Sequence, residues 1–494
     1  MRAVSRRLTA LACVVVLAAG SAGSAGGSAR VRGGDMGADI RAVLADKSLA
    51  NGVVGVSVAK LSEKGGGGGG GSGGEPEFVF RVNGERAMIP ASNMKVLTTS
   101  AALATLGPDF RFRTQLLYRD GDLYLVGDGD PTFGDPEISR RHGWSFDTVF
   151  KQWVAELKRQ GVTSVRHVYI DDSIFDSQFV HPRWPTDQLQ YGYSAEVGGL
   201  SFYFNTVDLS VKAGKGRGTS VSSEPPTSYV KLINEVKLGE KNGVGGTRVG
   251  TTNEIIVRGE VKPGSQDGFE MTITDPGKYA GTVLYETFKR EGIAMSGGVG
   301  RYNVIRAAFA AQPGAFRVMG VLETPIEVAL ARCNKNSANL YAESLAKRLA
   351  AEATGGPGSW EGFAVVLGSW LTKIGVPAGQ FEVDDGSGLS RGNRISPDGM
   401  VRVLAYDFGT AYREKFIASM SVGGVDGTLN NRFGGELKGR VFAKSGTIRG
   451  VSTLSGYLKA KSGQWYAFSI LLNDVSGVRA IHERIVRAVD ENSR

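Results

Sequence analysis

Apolar and polar positions follow several rhythms along this chain, and the order of those rhythms predicts its elements. A short helix is expected over 39–49, and a two-residue alternation over 53–61 predicts a strand. A second strand-like run, 78–82, follows a tract of seven glycines, 65–71, which reads as a low-complexity loop between two paired strands. A helical stretch then runs from Ser92 to about Leu106, with Gly107-Pro108 as its stop signal. From about 110 to 311 the pattern breaks into short β-like runs, among them 123–126, 168–170, 207–211 and 254–261, separated by Gly-rich turns. Helical pattern returns at 324–333 and 337–352, and the chain closes with strand-like runs at 440–447, 451–459 and 465–472 and a helix over 479–489. Two strands near the start and three near the end can join into one antiparallel sheet with helices on both faces, interrupted in sequence by a β-rich insertion.

Length and composition change this picture little. With 494 residues, 41% of them hydrophobic, the chain can bury a large core and is expected to hold two or three domains. Its first residues carry Arg2, Arg6 and Arg7, an apolar run over 8–19, and small residues through Ala29, the layout of a secretory signal. That run falls short of the ~20 residues a spanning helix needs, and no second one follows, so an exported, soluble protein without a membrane anchor is expected. Cys13 lies in the signal, which leaves Cys333 alone, a buried apolar side chain rather than a disulfide partner or nucleophile. The 58 basic residues, 55 once Arg2, Arg6 and Arg7 are removed, against 49 acidic ones suit an anionic polymer or envelope surface. No dense Lys/Arg run interleaved with aromatics points to nucleic acid, and no ligand spacing points to zinc. Neither metal nor cofactor is expected.

A serine hydroxyl needs a base to become a nucleophile at neutral pH, and an unprotonated lysine one helical turn away is one solution. Ser-x-x-Lys occurs at Ser57/Lys60, Ser92/Lys95, Ser228/Lys231 and Ser344/Lys347. In the predicted strand Ser57 and Lys60 point to opposite faces. Ser228 follows Pro225-Pro226 and precedes a β-like run, and Ser344 sits inside a helix whose backbone NH groups are already bonded. Ser92 opens its helix, where unpaired NH groups and the positive end of the dipole are ready for an oxyanion. An ordinary N-cap serine is the plain alternative. Two further motifs weigh against it: Ser337-Ala338-Asn339, at the junction of two predicted helices, and Lys444-Ser445-Gly446-Thr447, in a terminal strand where Gly446 allows close approach of a ligand. Lys461-Ser462-Gly463 falls between two strands and reads as a hairpin turn.

Ser-x-x-Lys, Ser-x-Asn and Lys-[Thr/Ser]-Gly, in that order, are the motifs of penicillin-binding proteins and serine β-lactamases. The chain further resembles the D-alanyl-D-alanine carboxypeptidase/endopeptidase family of low-molecular-mass class C penicillin-binding proteins, peptidase family S13. The resemblance is carried by Pro90 to Lys95, by Asp385-Gly386-Ser387-Gly388-Leu389-Ser390-Arg391 with Asn393, by Gly424 to Leu429 with Arg432-Phe433, and by stretches of the insertion around Gly127 and Gly199. The first two motifs stand 245 residues apart, room for an insertion that a compact β-lactamase lacks. Ala338 replaces the Asp of many relatives and Ser445 the commoner Thr, and the glycine tract is foreign to the family.

The resemblance implies an α/β fold: a penicillin-binding, β-lactamase-like domain with an antiparallel sheet flanked by helices on both faces, interrupted by a large β-rich insertion. The expected division is a signal at 1–29, catalytic parts at 36–118 and 323–494, and the insertion at 119–322. It implies serine-type release of D-Ala from peptidoglycan stem peptides, endopeptidase action at the same site, covalent inhibition by β-lactams, and a periplasmic or envelope location. Ser92 is then the nucleophile, Lys95 its base, and Ser337 the proton relay. Asn339 is expected to bind the substrate amide, and Lys444, Ser445, Gly446 and Thr447 the terminal carboxylate, with the backbone NH groups of Ser92 and Thr447 as oxyanion hole. Two other readings stay open: a serine β-lactamase, for which no deacylating acid or base is evident, and a catalytically inactive peptidoglycan-binding or sensing protein.

Overall fold

The computed structural model describes residues 35–62, 76–214 and 218–493. The expected signal with Cys13, and the glycine tract, lie outside them. The sheet assembled from the two ends of the chain has six antiparallel strands in the order Ser421–Val422, Val441–Ile448, Val451–Lys459, Trp465–Asn473, Val53–Leu61 and Glu77–Val82. Alternation explains its two covered faces. Val56, Val58, Leu454, Ile470 and Leu472 enter one core with helices Met36–Leu44 and Arg479–Glu491. Ala59, Leu61, Tyr457, Ala467 and Leu471 enter the other, with helices Met94–Leu106, Asn339–Thr354 and Pro397–Phe408. Because helices lie on both faces, the two central strands are buried along almost their whole length.

The chain leaves this domain along strand Arg111–Arg119 and returns along Arg317–Pro325, and the two pair antiparallel in a five-stranded sheet of the inserted region. Further sheets form around Thr206–Ala213 and Glu254–Val261. The region is β-rich, as the sequence pattern predicted, and it also carries helices that were not expected. Helices Thr148–Arg159 and Pro276–Arg290 pack into its core. The signal for the first was present: Phe150, Trp153, Val154 and Leu157 stand at helical spacing and are all buried. Among the described residues no helix is long and apolar enough to cross a membrane.

Candidate active site

The helix expected to begin at Ser92 begins two residues later. Ala91 takes φ 45°, a left-handed conformation rare for a residue with a Cβ, and Ala91–Asn93 form a 3-10 turn ahead of helix Met94–Leu106. Asn93 caps nothing; its amide turns down to the Ser455 hydroxyl at 2.7 Å. Ser92 is thereby held at a tight corner bordering a cavity, while Lys95, in the first turn of the α-helix, is wholly buried beneath it.

Lys95 Nζ lies 3.2 Å from Ser92 Oγ, 2.7 Å from Asn339 Oδ1 and 2.8 Å from the Ser387 carbonyl. A neutral amine has two N–H donors and one lone pair. The two carbonyl oxygens can only accept, so they take both donors and leave the lone pair facing the serine hydroxyl. Burial favours that neutral form by holding the Lys95 pKa below the usual lysine range, against Cys333, Glu343 and Asp385, which raise it. Cys333 is itself a buried thiol, pushed up to about 12 by burial.

Ser337 links helix Ile326–Lys335 to helix Asn339–Thr354 at φ 59°. Its hydroxyl accepts from Lys444 Nζ at 2.9 Å, and the same nitrogen also donates to the Ser445 carbonyl at 2.6 Å. The Lys444 pKa lies well below the usual value, through burial first and the nearby Lys95 second. The two polar residues of Ser337-Ala338-Asn339 therefore take one lysine each. Asn339, expected to hold a substrate amide, is engaged on both ends: its Oδ1 accepts from Lys95, and its Nδ2 donates 2.8 Å to the Tyr193 carbonyl of the inserted region.

Strand Val441–Ile448 pairs with short Ser421–Val422 only at Phe442 and Ala443, then runs on past it alongside Ser92. A Cβ on Gly446 would stand 2.9 Å from the Ser92 backbone nitrogen and 2.3 Å from Thr453 Oγ1, so only glycine permits this approach. Ser445 Oγ donates to Thr428 Oγ1 at 2.8 Å, and Thr447 is exposed. Ser92, Ser337, Ser445, Gly446 and Thr447 line one cavity of about 360 Å³. Lys95, Asn339 and Lys444 are bonded to its walls from behind. The structure brings together all eight side-chain and glycine positions that the three motifs supply.

The Ser387 carbonyl, Thr428, Arg432 and His482 also belong to this neighbourhood, and no role was read for them from sequence. Ser387 acts through its backbone, which carries no residue signature. His482 lies in the C-terminal helix, far from any motif, and becomes a neighbour of Ser92 only through sheet packing.

The fold and this constellation define a serine hydrolase of the penicillin-binding class. More narrowly, the chain belongs to the D-Ala-D-Ala carboxypeptidase 3 (S13) family, whose profile matches residues 37–491. It is 33% identical over 470 residues to the D-alanyl-D-alanine carboxypeptidase of Actinomadura sp. (strain R39), which spans 89% of this chain and 81% of that one. It is 26% identical over 415 residues to D-alanyl-D-alanine carboxypeptidase DacB of Haemophilus influenzae, covering 80% and 82%. The crystal structure of penicillin binding protein 4 (dacB) from Haemophilus influenzae superposes with a TM-score of 0.73 over 91% of this chain and 98% of that one, at 23% identity, a likeness of fold.

Proposed function

We propose that this protein releases the terminal D-Ala from peptidoglycan stem peptides through an acyl-enzyme on Ser92. Lys95 takes the Ser92 proton as the hydroxyl attacks the penultimate D-Ala carbonyl. The oxyanion lies between the backbone NH groups of Ser92 and Thr447. Ser337, backed by Lys444, passes a proton to the leaving amine, and Asn339 keeps its remaining N–H for the substrate amide. Ser445 and Thr447, with Lys444 beneath them, receive the terminal carboxylate. Water then releases the acyl group. The same chemistry serves when the leaving amine belongs to a neighbouring stem peptide, so opening of cross-links is included, and β-lactams are covalent inhibitors.

The catalytic unit is the pair of segments 36–118 and 323–494, with 119–322 inserted between them. An exported protein acting in the periplasm or envelope, with its signal at 1–29 removed, matches a substrate found there. The observation that carries the reading is Lys95 beside Ser92 with only uncharged acceptors on its amine. Incubation with a fluorescent penicillin, followed by mass spectrometry, tests it. A stable adduct on Ser92, lost with D-Ala release in Ser92→Ala, is expected. Rapid β-lactam turnover would instead mark a β-lactamase, and neither adduct nor turnover would mark an inactive binding protein.

A further inference from the structure

The lone pair of Lys95 faces Ser92 only while both carbonyl acceptors stay in place. Asn339 is on a helix, but Ser387 lies in a loop, 384–393, without regular structure, so something must hold its carbonyl. Two buried carboxylates do so. Glu343 accepts from Ser387 N at 2.8 Å, from Gly386 N at 2.9 Å and from Trp360 Nε1 at 2.8 Å. Asp385 accepts from the backbone of Gly388 and Ser390, from Asn393 Nδ2, each at 2.7 Å, and from Trp184 Nε1 of the inserted region at 2.9 Å. The loop is also keyed to the nucleophile turn, since a Cβ on Gly388, at φ 80°, would stand 1.8 Å from the Ala91 carbonyl. Glu343 lies one turn beyond Asn339 on helix Asn339–Thr354. One helix thus supplies one acceptor of Lys95 directly and holds the other through the loop.

We propose that Glu343 is a positioning residue for the reaction: its ionised carboxylate fixes the Ser387 carbonyl on Lys95 and so aims the base at Ser92. The proposal rests on the Ser92–Lys95 reading above. Every donor to Glu343 is an N–H that cannot turn into an acceptor, so a protonated carboxyl would set its O–H against one of them. Only the ionised form fits. Burial first, and Asp385 second, push this carboxyl up to about 7. The charged and titratable groups facing it are Lys95 on the nucleophile helix, Cys333 on the preceding helix, and Lys347 on its own helix. Glu361 on the following helix reaches the same Lys347, and His181 of the inserted region faces both Asp385 and Asp384. Below about pH 7 the brace is protonated, and acylation falls on the acid side.

A role through charge alone predicts the opposite behaviour. Glu343 raises the Lys95 pKa, so its neutralisation would ease loss of the lysine proton and hold or raise the rate at low pH. The test measures the single-turnover rate of Ser92 acylation by fluorescent penicillin, and kcat and KM on a peptide ending in D-Ala-D-Ala, from pH 5 to 9. In Glu343→Gln, acylation and kcat are expected to fall ~10²-fold on the plateau above pH 7 and to lose the acid limb, with KM within a few-fold. In Trp360→Phe, which removes one donor from the ionised form, the acid limb is expected to move to higher pH while the plateau rate is kept. Wild-type rates and profile in Glu343→Gln overturn the proposal. So does an unshifted limb in Trp360→Phe, which decides the matter if Glu343→Gln fails to fold. A wild-type protein that is not acylated on Ser92 overturns the functional reading itself, before any variant is made.

Discussion

Two serine–lysine pairs with the same spacing lie on buried helices of this molecule; Ser92 of the first borders a cavity, whereas Ser344 of the second is wholly buried. Lys95 and Lys347 are both 0% exposed, and burial lowers the pKa of each. Lys347 ends on the Asp176 carboxylate at 2.6 Å and the Gln178 carbonyl at 2.6 Å, with its ammonium 3.8 Å from the centre of the Trp360 ring. Lys95 ends on two carbonyls and a hydroxyl. Ser344 is inside its helix with a buried hydroxyl that lacks a partner, whereas Ser92 stands at an N-terminal corner with open space before it. Spacing supplies candidates. The charge on the lysine's other neighbours selects which becomes a base, because a carboxylate partner keeps the ammonium and a carbonyl partner does not.

The largest expected effect is at Lys95. Lys95→Met should lower acylation and D-Ala release by at least ~10³-fold, with a smaller loss of stability than at Lys347, since the two acceptors it leaves without a donor, Asn339 and Ser387, are uncharged. Rates within tenfold of wild type would break the contrast. Lys347→Met should do the reverse. Its acylation rate stays within a few-fold, while urea unfolding shows a loss of about 3 kcal/mol, the low end for a broken buried pair because Asp176 keeps 27% of its side chain in solvent. A large loss of rate with unchanged stability would place Lys347 in the chemistry.

Asp176→Asn makes the second pair resemble the first. With the carboxylate gone, burial of Lys347 is opposed only by the weaker pull of Glu343 and Glu361, and its folded-state pKa falls further. The unfolded chain then binds a proton that the folded one releases. Stability is therefore lost as pH falls from the unfolded lysine value of about 10.4 toward the folded one, by up to about 1.4 kcal/mol per pH unit. Urea melts at pH 7 and 9 should show a steeper gain with pH in the variant than in wild type, and no adduct should appear on Ser344. Parallel curves would mean that Asp176 does not hold the Lys347 proton. The smallest effect belongs to Ser344→Ala, within about 1 kcal/mol of wild type and silent in acylation, because the hydroxyl it removes makes no hydrogen bond. A large destabilisation would reveal a partner for that hydroxyl.

Strand pattern was the most legible part of this fold. The runs at 53–61 and 451–459 coincide with Val53–Leu61 and Val451–Lys459, because an apolar, β-branched run bounded by turn residues is a local signal. Less was readable where local signals compete. Short β-like runs in the inserted region hid helices Thr148–Arg159 and Pro276–Arg290, and the left-handed Ala91 delayed the nucleophile helix without a glycine to announce it. The three motifs drew attention to Ser92, Lys95, Ser337, Asn339 and Lys444 because each carries its chemistry in a side chain. The carbonyl of Ser387, 292 residues from Lys95, gave no such sign.

The sequence by itself determined the long strands of the terminal sheet, the order of the three motifs and the helical spacing of Ser92 and Lys95, since each follows from neighbours along the chain. Tertiary structure alone decided that Asn339 and Ser387 bring two uncharged acceptors to Lys95, that Ser337 pairs with Lys444, and that Glu343 and Asp385 hold the loop between them. The physical reason is that a buried amine is tuned by whichever dipoles and charges reach it through space, and here they come from segments that meet only when the sheet and helices close.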